Sequence, residues 1–417
     1  MTSVSDFTAE FGRRLAGASI APRTALAALL ATFAVGFAAR LALASVGHNY
    51  DLDSYEIVAG LVTRGESVYA NTERYNYGPI WFCLLGLFKQ IQWMLGLEGP
   101  EALHLVVATF LSLVDVAIAT VLGWRYGLAS AVVFLLSPIG LLITGFHSQF
   151  DNFAVLVGLS AWLLVADEAS RARTRNVLAS AALLGLSLSL KHILLLLPIW
   201  LLMWPRLGPL RVRVLYCAIA YGVFGLGFVP WLLDDASRAG ILANVVNYTS
   251  KRSGFLTLMV ERFWIFEFIP WERLKWFWLG SLLVVGWFVV RRWEREAFFL
   301  YLIAFTGLAP AFADQYLAIP LVACAFYLPS RLLWCYQATG ALVLSFSVDS
   351  FNGLAARALI WANVKNQDVA EMIQNVTQGA TAQLWLAVFL LVALFYGHSK
   401  LGPGRVPPQT PAAAGPP

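Results

Sequence analysis

Two carboxylates, Asp51 and Asp53, follow the first long apolar run of this 417-residue chain, and no Lys or Arg stands beside them. The stretch His48-Asn49-Tyr50-Asp51-Leu52-Asp53-Ser54-Tyr55 opens a polar, tyrosine-rich segment. Carboxylates without a neighbouring cation at a membrane surface suit proton abstraction or cation binding. The plainer alternative is a helix start, because an Asp ahead of Ser-Tyr-Glu and then Ile57 and Val58 also fits an N-terminal cap. Arg64-Gly65-Glu66-Ser67-Val68-Tyr69 and Arg74-Tyr75-Asn76-Tyr77-Gly78-Pro79 follow. Tyr55, Tyr69, Tyr75 and Tyr77 offer flat faces and hydroxyls that fit a sugar, although tyrosines also anchor proteins in membrane interfaces.

Three further groups carry chemistry. His147-Ser148-Gln149-Phe150-Asp151-Asn152 places five polar side chains in six residues between two apolar runs, where polar groups are costly unless paired or used. Lys191-His192 interrupts the apolar run 176–204 and offers cations to an anion such as phosphate; snorkelling of Lys191 to the interface is the alternative. Asp314-Gln315-Tyr316-Leu317 closes another connection. Asp115, inside the second apolar run, is expected to pair with a polar or cationic group of another helix in a structural role.

These groups must be positioned by a membrane protein. The chain is 59% hydrophobic and 13% charged, with a mean hydropathy of +0.70, well outside the soluble globular range. Apolar stretches near the bilayer-spanning length of about 20 residues recur at 24–46, 102–123, 127–146, 151–167, 213–232, 274–290, 297–312, 314–330, 332–349 and 381–397, with two short ones in 176–204. The expected fold is all-α, a bundle of about twelve spans. The first apolar run reads as an uncleaved span rather than a signal peptide.

The net charge of +5 does not point to nucleic acid, because the cations follow the positive-inside rule. Arg13, Arg14, Arg23, Arg125, Arg171, Arg173, Arg175, Arg206, Arg211, Arg213, Arg291, Arg292, Arg295, Arg331, Lys400 and Arg405 fall on alternate connections. Asp51, Asp53, Asp151, Asp234, Asp235, Asp314 and Asp349 fall on the others. Both termini are then cytoplasmic and the acidic connections face outward. Counting 79–97 as a span would invert every later loop, so it is read as an amphipathic helix lying in the interface.

The segment 1–22 is expected to be a cytoplasmic surface helix, 23–400 a single transmembrane domain and the Pro-rich 401–417 a disordered tail. The long outward loops 47–101, 233–273 and 350–380 place the working surface on the outer side. Loop 233–273 holds Lys251, Arg252 and the aromatics Phe263, Trp264, Phe266, Phe268 and Trp271, which suit a headgroup region; Asn247 and Asn375 match the short glycosylation pattern. Cys83, Cys217, Cys324 and Cys335 stand singly in apolar stretches and read as packing residues.

Asp51-x-Asp53, Gly65-x-Ser67-x-Tyr69 and Tyr75-x-Tyr77-x-Pro79 resemble the first lumenal loop of the GPI mannosyltransferase I family, and Gln315-Tyr316-Leu317 resembles its late glutamine-tyrosine motif. His147-x-Gln149-Phe150-Asp151 and Lys191 resemble motifs of the dolichyl-phosphate-glucose-dependent glucosyltransferases. Val68 stands where the first family usually has proline, and Asp151 where the second usually has asparagine. Both belong to the GT-C superfamily of polytopic glycosyltransferases, which use polyprenyl-phosphate sugars.

The resemblance implies an inverting hexosyltransferase, with mannose ahead of glucose, acting on a glycan or glycolipid acceptor hydroxyl on the non-cytoplasmic face. Asp51 or Asp53 would be the general base. Lys191, His192, His147 and Arg74 would meet the donor phosphate, and Tyr55, Tyr69, Tyr75, Tyr77, Gln149, Asp151, Gln315 and Tyr316 would contact substrate. A leaving lipid phosphate needs cations more than a metal, although the carboxylate pair keeps Mg²⁺ or Mn²⁺ open. A transporter or flippase of a lipid-linked sugar or small solute is the alternative from another class, and a non-enzymatic membrane subunit is a third.

Overall fold

The computed structural model describes residues 4–16, 20–247, 271–311, 313–346 and 379–396, and every element among them is helical. The chain opens with α1 (Val4–Ala16), α2 (Pro22–Val46), α3 (Tyr50–Thr63), α4 (Val68–Asn71), α5 (Pro79–Met94) and α6 (Pro100–Tyr126). Proline at the first turn of α2, α5 and α6 costs no helical hydrogen bond there and presets the backbone. Next come α7 (Leu128–Leu135), α8 (Pro138–Gly145), α9 (Asp151–Ala166), α10 (Glu168–Arg171), α11 (Thr174–Leu190), α12 (Leu197–Leu202), α13 (Leu210–Leu226), α14 (Val229–Leu232) and α15 (Asp235–Ile241). The described remainder holds α16 (Trp271–Arg292), α17 (Ala297–Gly307), α18 (Leu321–Phe326), α19 (Arg331–Phe346) and α20 (Gly379–Tyr396).

Among the described residues, three helices, Pro22–Val46, Pro100–Tyr126 and Leu274–Arg292, are long and apolar enough to cross a membrane. α7 and α8 qualify together but are bent by 51° at their junction. Pro138 lacks an N–H and pushes Ser137 out of the helical region, so the expected span 127–146 is a broken one. α9, α11 and the segments His192–Leu202, Asp314–Phe326 and Thr381–Phe395 are apolar but shorter. The expected break in 176–204 falls at Lys191, whose backbone is extended between α11 and a 3₁₀ turn, His192–Leu194. Segment 47–101, expected to be an outward loop carrying a helix over 79–97, contains three helices, α3 to α5, and α5 (Pro79–Met94) falls where that helix is expected. Lys251, Arg252, the aromatic run 263–268, Asn375, Asp349, Lys400, Arg405 and the 401–417 tail lie outside the described residues.

Two polar layers sit at the two ends of α9, whose 16 residues at about 1.5 Å each separate them by about 24 Å. At its C-terminal end Arg125 meets Asp167 at 2.7 Å. Arg171 there lies over Trp204, and Trp204 and Arg206 both donate to Glu294. α1 packs beside this layer, with Phe11 stacked on Trp124 and Arg14 over the same indole. The opposite layer, at Asp151, mixes acids and amides with His147 and Lys191.

The core between the layers is mostly apolar, with scattered hydrogen-bonded polar side chains such as Ser180, Ser187 and Gln383, and it holds a buried ion pair. Arg40 of α2 and Asp115 of α6, both 0% exposed, pair at 2.9 Å. Asp115 also accepts from Thr144 of α8 and Asn152 of α9, each at 2.7 Å. Arg40 donates in addition to the Gly36 and Leu135 carbonyls at 2.9 Å. The partner expected for Asp115 is therefore an arginine hidden in the first apolar run. Breaking such a pair leaves a buried charge without compensation. Asp115→Ala is expected to cost about 3–5 kcal/mol, seen as a fall in the thermal unfolding midpoint of detergent-solubilised protein. Arg238→Ala, which breaks the exposed pair with Asp235, should move the midpoint little. An unshifted midpoint in Asp115→Ala contradicts the structural role.

Candidate functional site

The connection from α2 to α3 supplies the first part of the site. Asn49 caps α3, its side-chain oxygen accepting from the Asp51 backbone N–H at 3.1 Å. Its amide group donates to the Asp51 carboxylate at 3.2 Å and meets His147 Nδ1 at 2.7 Å. The helix start offered as the plainer reading is thus real, but Asn49 performs the capping and leaves the Asp51 carboxylate to other partners. Gln149 donates its side-chain N–H to that carboxylate. Residues 48 to 51 and 147 to 149, remote in sequence, therefore form one cluster.

The second part is the turn between α8 and α9. His147, Ser148, Gln149, Asp151 and Asn152 are all buried. Ser148 adopts a left-handed backbone conformation, φ 51°, which residues other than glycine rarely do. Thr144 before the turn and Asn152 after it are both tied to Asp115, so the hub clamps the turn from both sides. Gln149 Oε1 is a buried acceptor with no donor among the described residues.

Lys191 completes the cluster. Its ammonium lies 2.7 Å from Asp151 Oδ2, with the Tyr77 and Phe150 rings 4.9 and 4.8 Å away. Tyr77 is held over it by close packing of Gly78 on the Ser189 carbonyl at the end of α11. Beyond Tyr77 and Lys191 opens a cavity of about 530 Å³, a typical size for a small-molecule site. Asn76, Tyr77, Lys191, His192, Gln315 and Tyr316 form much of its polar side, and Leu195, Leu196, Trp278, Leu279, Leu282 and Phe305 much of its apolar side.

The structure sorts the candidates. Asp51, His147, Gln149, Asp151, Lys191 and Tyr77 come together, and His192, Gln315 and Tyr316 line the adjoining cavity. Asp53 does not join them. Two positions along a helix rotate a side chain by about 200°, and Asp53 is exposed while Asp51 meets Gln149. The pair does not act at one point. Tyr69 and Tyr75 are 2% exposed and spend their hydroxyls on the Tyr77 and Gly78 carbonyls, so they shape the 75–82 segment. Tyr55 packs edge-on against Trp81. Arg74 lies over the Tyr50 ring at 3.9 Å, at the first turn of α3 and away from the cavity lining. Burial, followed by the negative charge of Asp51, raises the Tyr55 and Tyr77 hydroxyls well above the ordinary tyrosine range, so both remain protonated donors.

Sequence reasoning missed Asn49, Arg40 and Lys275, the last lining the cavity from α16. A single arginine within the first apolar run was the available signal for Arg40. No group of three or more His, Cys, Asp or Glu side chains capable of holding a metal occurs among the described residues. Comparison of the chain with protein-family models, curated proteins and solved structures gives no match.

A side chain at position 78 has nowhere to go, since a Cβ there runs into the Ser189 carbonyl oxygen. Gly78→Ala is expected to cost about 1–3 kcal/mol and to lift Tyr77 away from Lys191. The check is a lower unfolding midpoint than that of wild type; an equal midpoint means the 76–79 segment is not seated on α11.

Proposed function

We propose that this chain is an inverting, membrane-embedded hexosyltransferase that takes its sugar from a polyprenyl phosphate. The carrying observation is a set of neighbouring contacts: Gln149 donates to the Asp51 carboxylate, Asp151 two residues further along pairs with Lys191, and Lys191 lines a cavity polar on one side and apolar on the other. A lipid-linked sugar matches that succession of chemistries. The resemblance of the same residues to GT-C enzymes supports the reading independently, with mannose favoured over glucose as the sugar and a glycan or glycolipid as acceptor.

In this reading the chain crosses the bilayer about twelve times, with a GT-C-like arrangement and both termini cytoplasmic. The arginine-rich layer faces the cytoplasm and the mixed layer at Asp151 the other side, in accord with the positive-inside rule. α3 to α5 lie at the outer interface. Exposed Trp93, Met94 and Leu95 at the end of α5 suit that depth.

Asp51 takes the proton from an acceptor hydroxyl as the hydroxyl oxygen bonds to the anomeric carbon of the sugar. The bond from that carbon to the phosphate oxygen breaks on the opposite face, and the electron pair leaves with the lipid phosphate. Asn49 and Gln149 hold Asp51 in place. Gln149 Oε1 accepts from a sugar or acceptor hydroxyl, and the basic groups of the cavity meet the charge growing on the phosphate. The scheme runs without a metal; Mg²⁺ or Mn²⁺ is an optional addition rather than a requirement.

A second reading, movement of a lipid-linked sugar without chemistry, draws support from the interrupted helices at Pro138 and Lys191, since broken helices often line transport sites. Purified protein in liposomes with polyprenyl-phosphate mannose or glucose separates the two. Transfer or release of sugar is expected; movement of the intact lipid-linked sugar alone supports transport. Asp51→Asn should lower transfer by about 10²-fold or more, while Asp53→Asn keeps most of it. Wild-type turnover in folded Asp51→Asn removes the base assignment.

A further inference from the structure

Two lysines line the cavity, and they differ in the charge they bring to it. Lys191 is 3% exposed and already paired with Asp151, itself 0% exposed, at 2.7 Å. The pair is neutral as a unit, so it presents a dipole rather than a charge to anything in the cavity. It can still donate a hydrogen bond. His192 has an imidazole, a group whose ordinary pKa of about 6.5 leaves it largely neutral at pH 7. Lys275 is exposed, and no carboxylate among the described residues forms an ion pair with it.

Its place on α16 gives that charge a direction. Lys275, Trp278, Leu279 and Leu282 all line the cavity, and their spacing of i, i+3, i+4 and i+7 makes one stripe along the helix. A cation stands at the start of the stripe and an apolar track follows it. Elsewhere in the same lining, Lys191 and His192 precede Leu195 and Leu196 in the same order. Two stretches of lining that both begin polar and turn apolar fit an anionic head joined to a long hydrocarbon chain. Inorganic phosphate would use only the rim, and a neutral isoprenoid only the track.

We infer that Lys275 supplies the net positive charge that recognises a lipid monophosphate in this cavity, with its chain lying along Trp278, Leu279 and Leu282. The inference rests on the lipid-phosphate reading of the site given above, and it moves the main anchoring charge from Lys191, the cation prominent in the sequence, to one on α16. The same head chemistry occurs on bilayer phospholipids, and the occupant named here is the polyprenyl monophosphate.

The test measures binding of three probes to the purified full chain in detergent: a long-chain polyprenyl monophosphate, the matching polyprenol, and phosphatidylglycerol. Lys275→Ala should weaken the monophosphate by about tenfold or more, Lys275→Glu by more still, and Lys275→Arg by no more than about threefold. Polyprenol binding should not change, because the apolar track is intact. Phosphatidylglycerol should bind more weakly than the monophosphate. Equal monophosphate binding by wild type and Lys275→Ala overturns the inference, as does an equal loss of polyprenol binding. Phosphatidylglycerol binding as tightly, with the same dependence on Lys275, overturns the assignment to a polyprenyl lipid. The two proposals fail separately: sugar transfer that ignores Lys275 sinks this inference alone, whereas Lys275-dependent binding without transfer of any hexose sinks the glycosyltransferase reading alone.

Discussion

The Asp115 carboxylate is the constraint on which the site depends. With no exposed surface, it must be met inside the protein, and it is met by Arg40, Thr144 and Asn152. Those partners belong to α2, α8 and α9, so one side chain of α6 fixes four helices against one another. An isolated charge in so apolar a setting would be prohibitive, and the network therefore tolerates little displacement of any member. Because Thr144 and Asn152 flank the 147–151 turn, the same bonds hold Ser148 in its unfavourable backbone conformation and keep Gln149 within reach of Asp51.

From that clamp the division of labour between the two ends of the bundle follows. The end rich in arginine pairs its cations with Asp167 and Glu294 or caps carbonyls with them, which suits a surface that has only to be stable. At the other end the groups are fewer and mixed: a carboxylate held by two amides, a neutralised lysine, tyrosine rings and an adjoining cavity with a greasy wall. Preorganised groups of this kind act most strongly where water is scarce. A reaction that moves charge from a hydroxyl to a lipid phosphate makes use of all of them.

How much was legible in advance depends on whether a residue's role is set by its own chemistry or by its partner. Asp51, Gln149, Asp151 and Lys191 stood out because polar groups at the ends of apolar runs are costly, and they do converge. Asp115 was expected to need a partner, yet nothing local marks Arg40 as that partner; pairing across 75 positions of sequence is a tertiary fact. Asp53 is a simpler case. Spacing alone sets it beside Asp51 as either a working pair or a helix start, but α3 begins at Tyr50, and helical geometry turns the two carboxylates apart. Tyr69 and Tyr75 show the limit of composition: a tyrosine suited to a sugar is equally suited to a backbone carbonyl, and only packing decides. Lys275 escaped notice because it opens an apolar segment in which the sequence draws attention to the span rather than to its first turn.

The most direct measurement of the central claim is a structure of the protein bound to a polyprenyl phosphonate analogue of the sugar donor. The account predicts the phosphonate in the cavity between α16 and the Lys191 break, its chain along Trp278 and Leu282, and the sugar turned toward Asp51. An analogue seated elsewhere on the molecule, or a sugar carbon facing the arginine-rich end of the bundle, contradicts it.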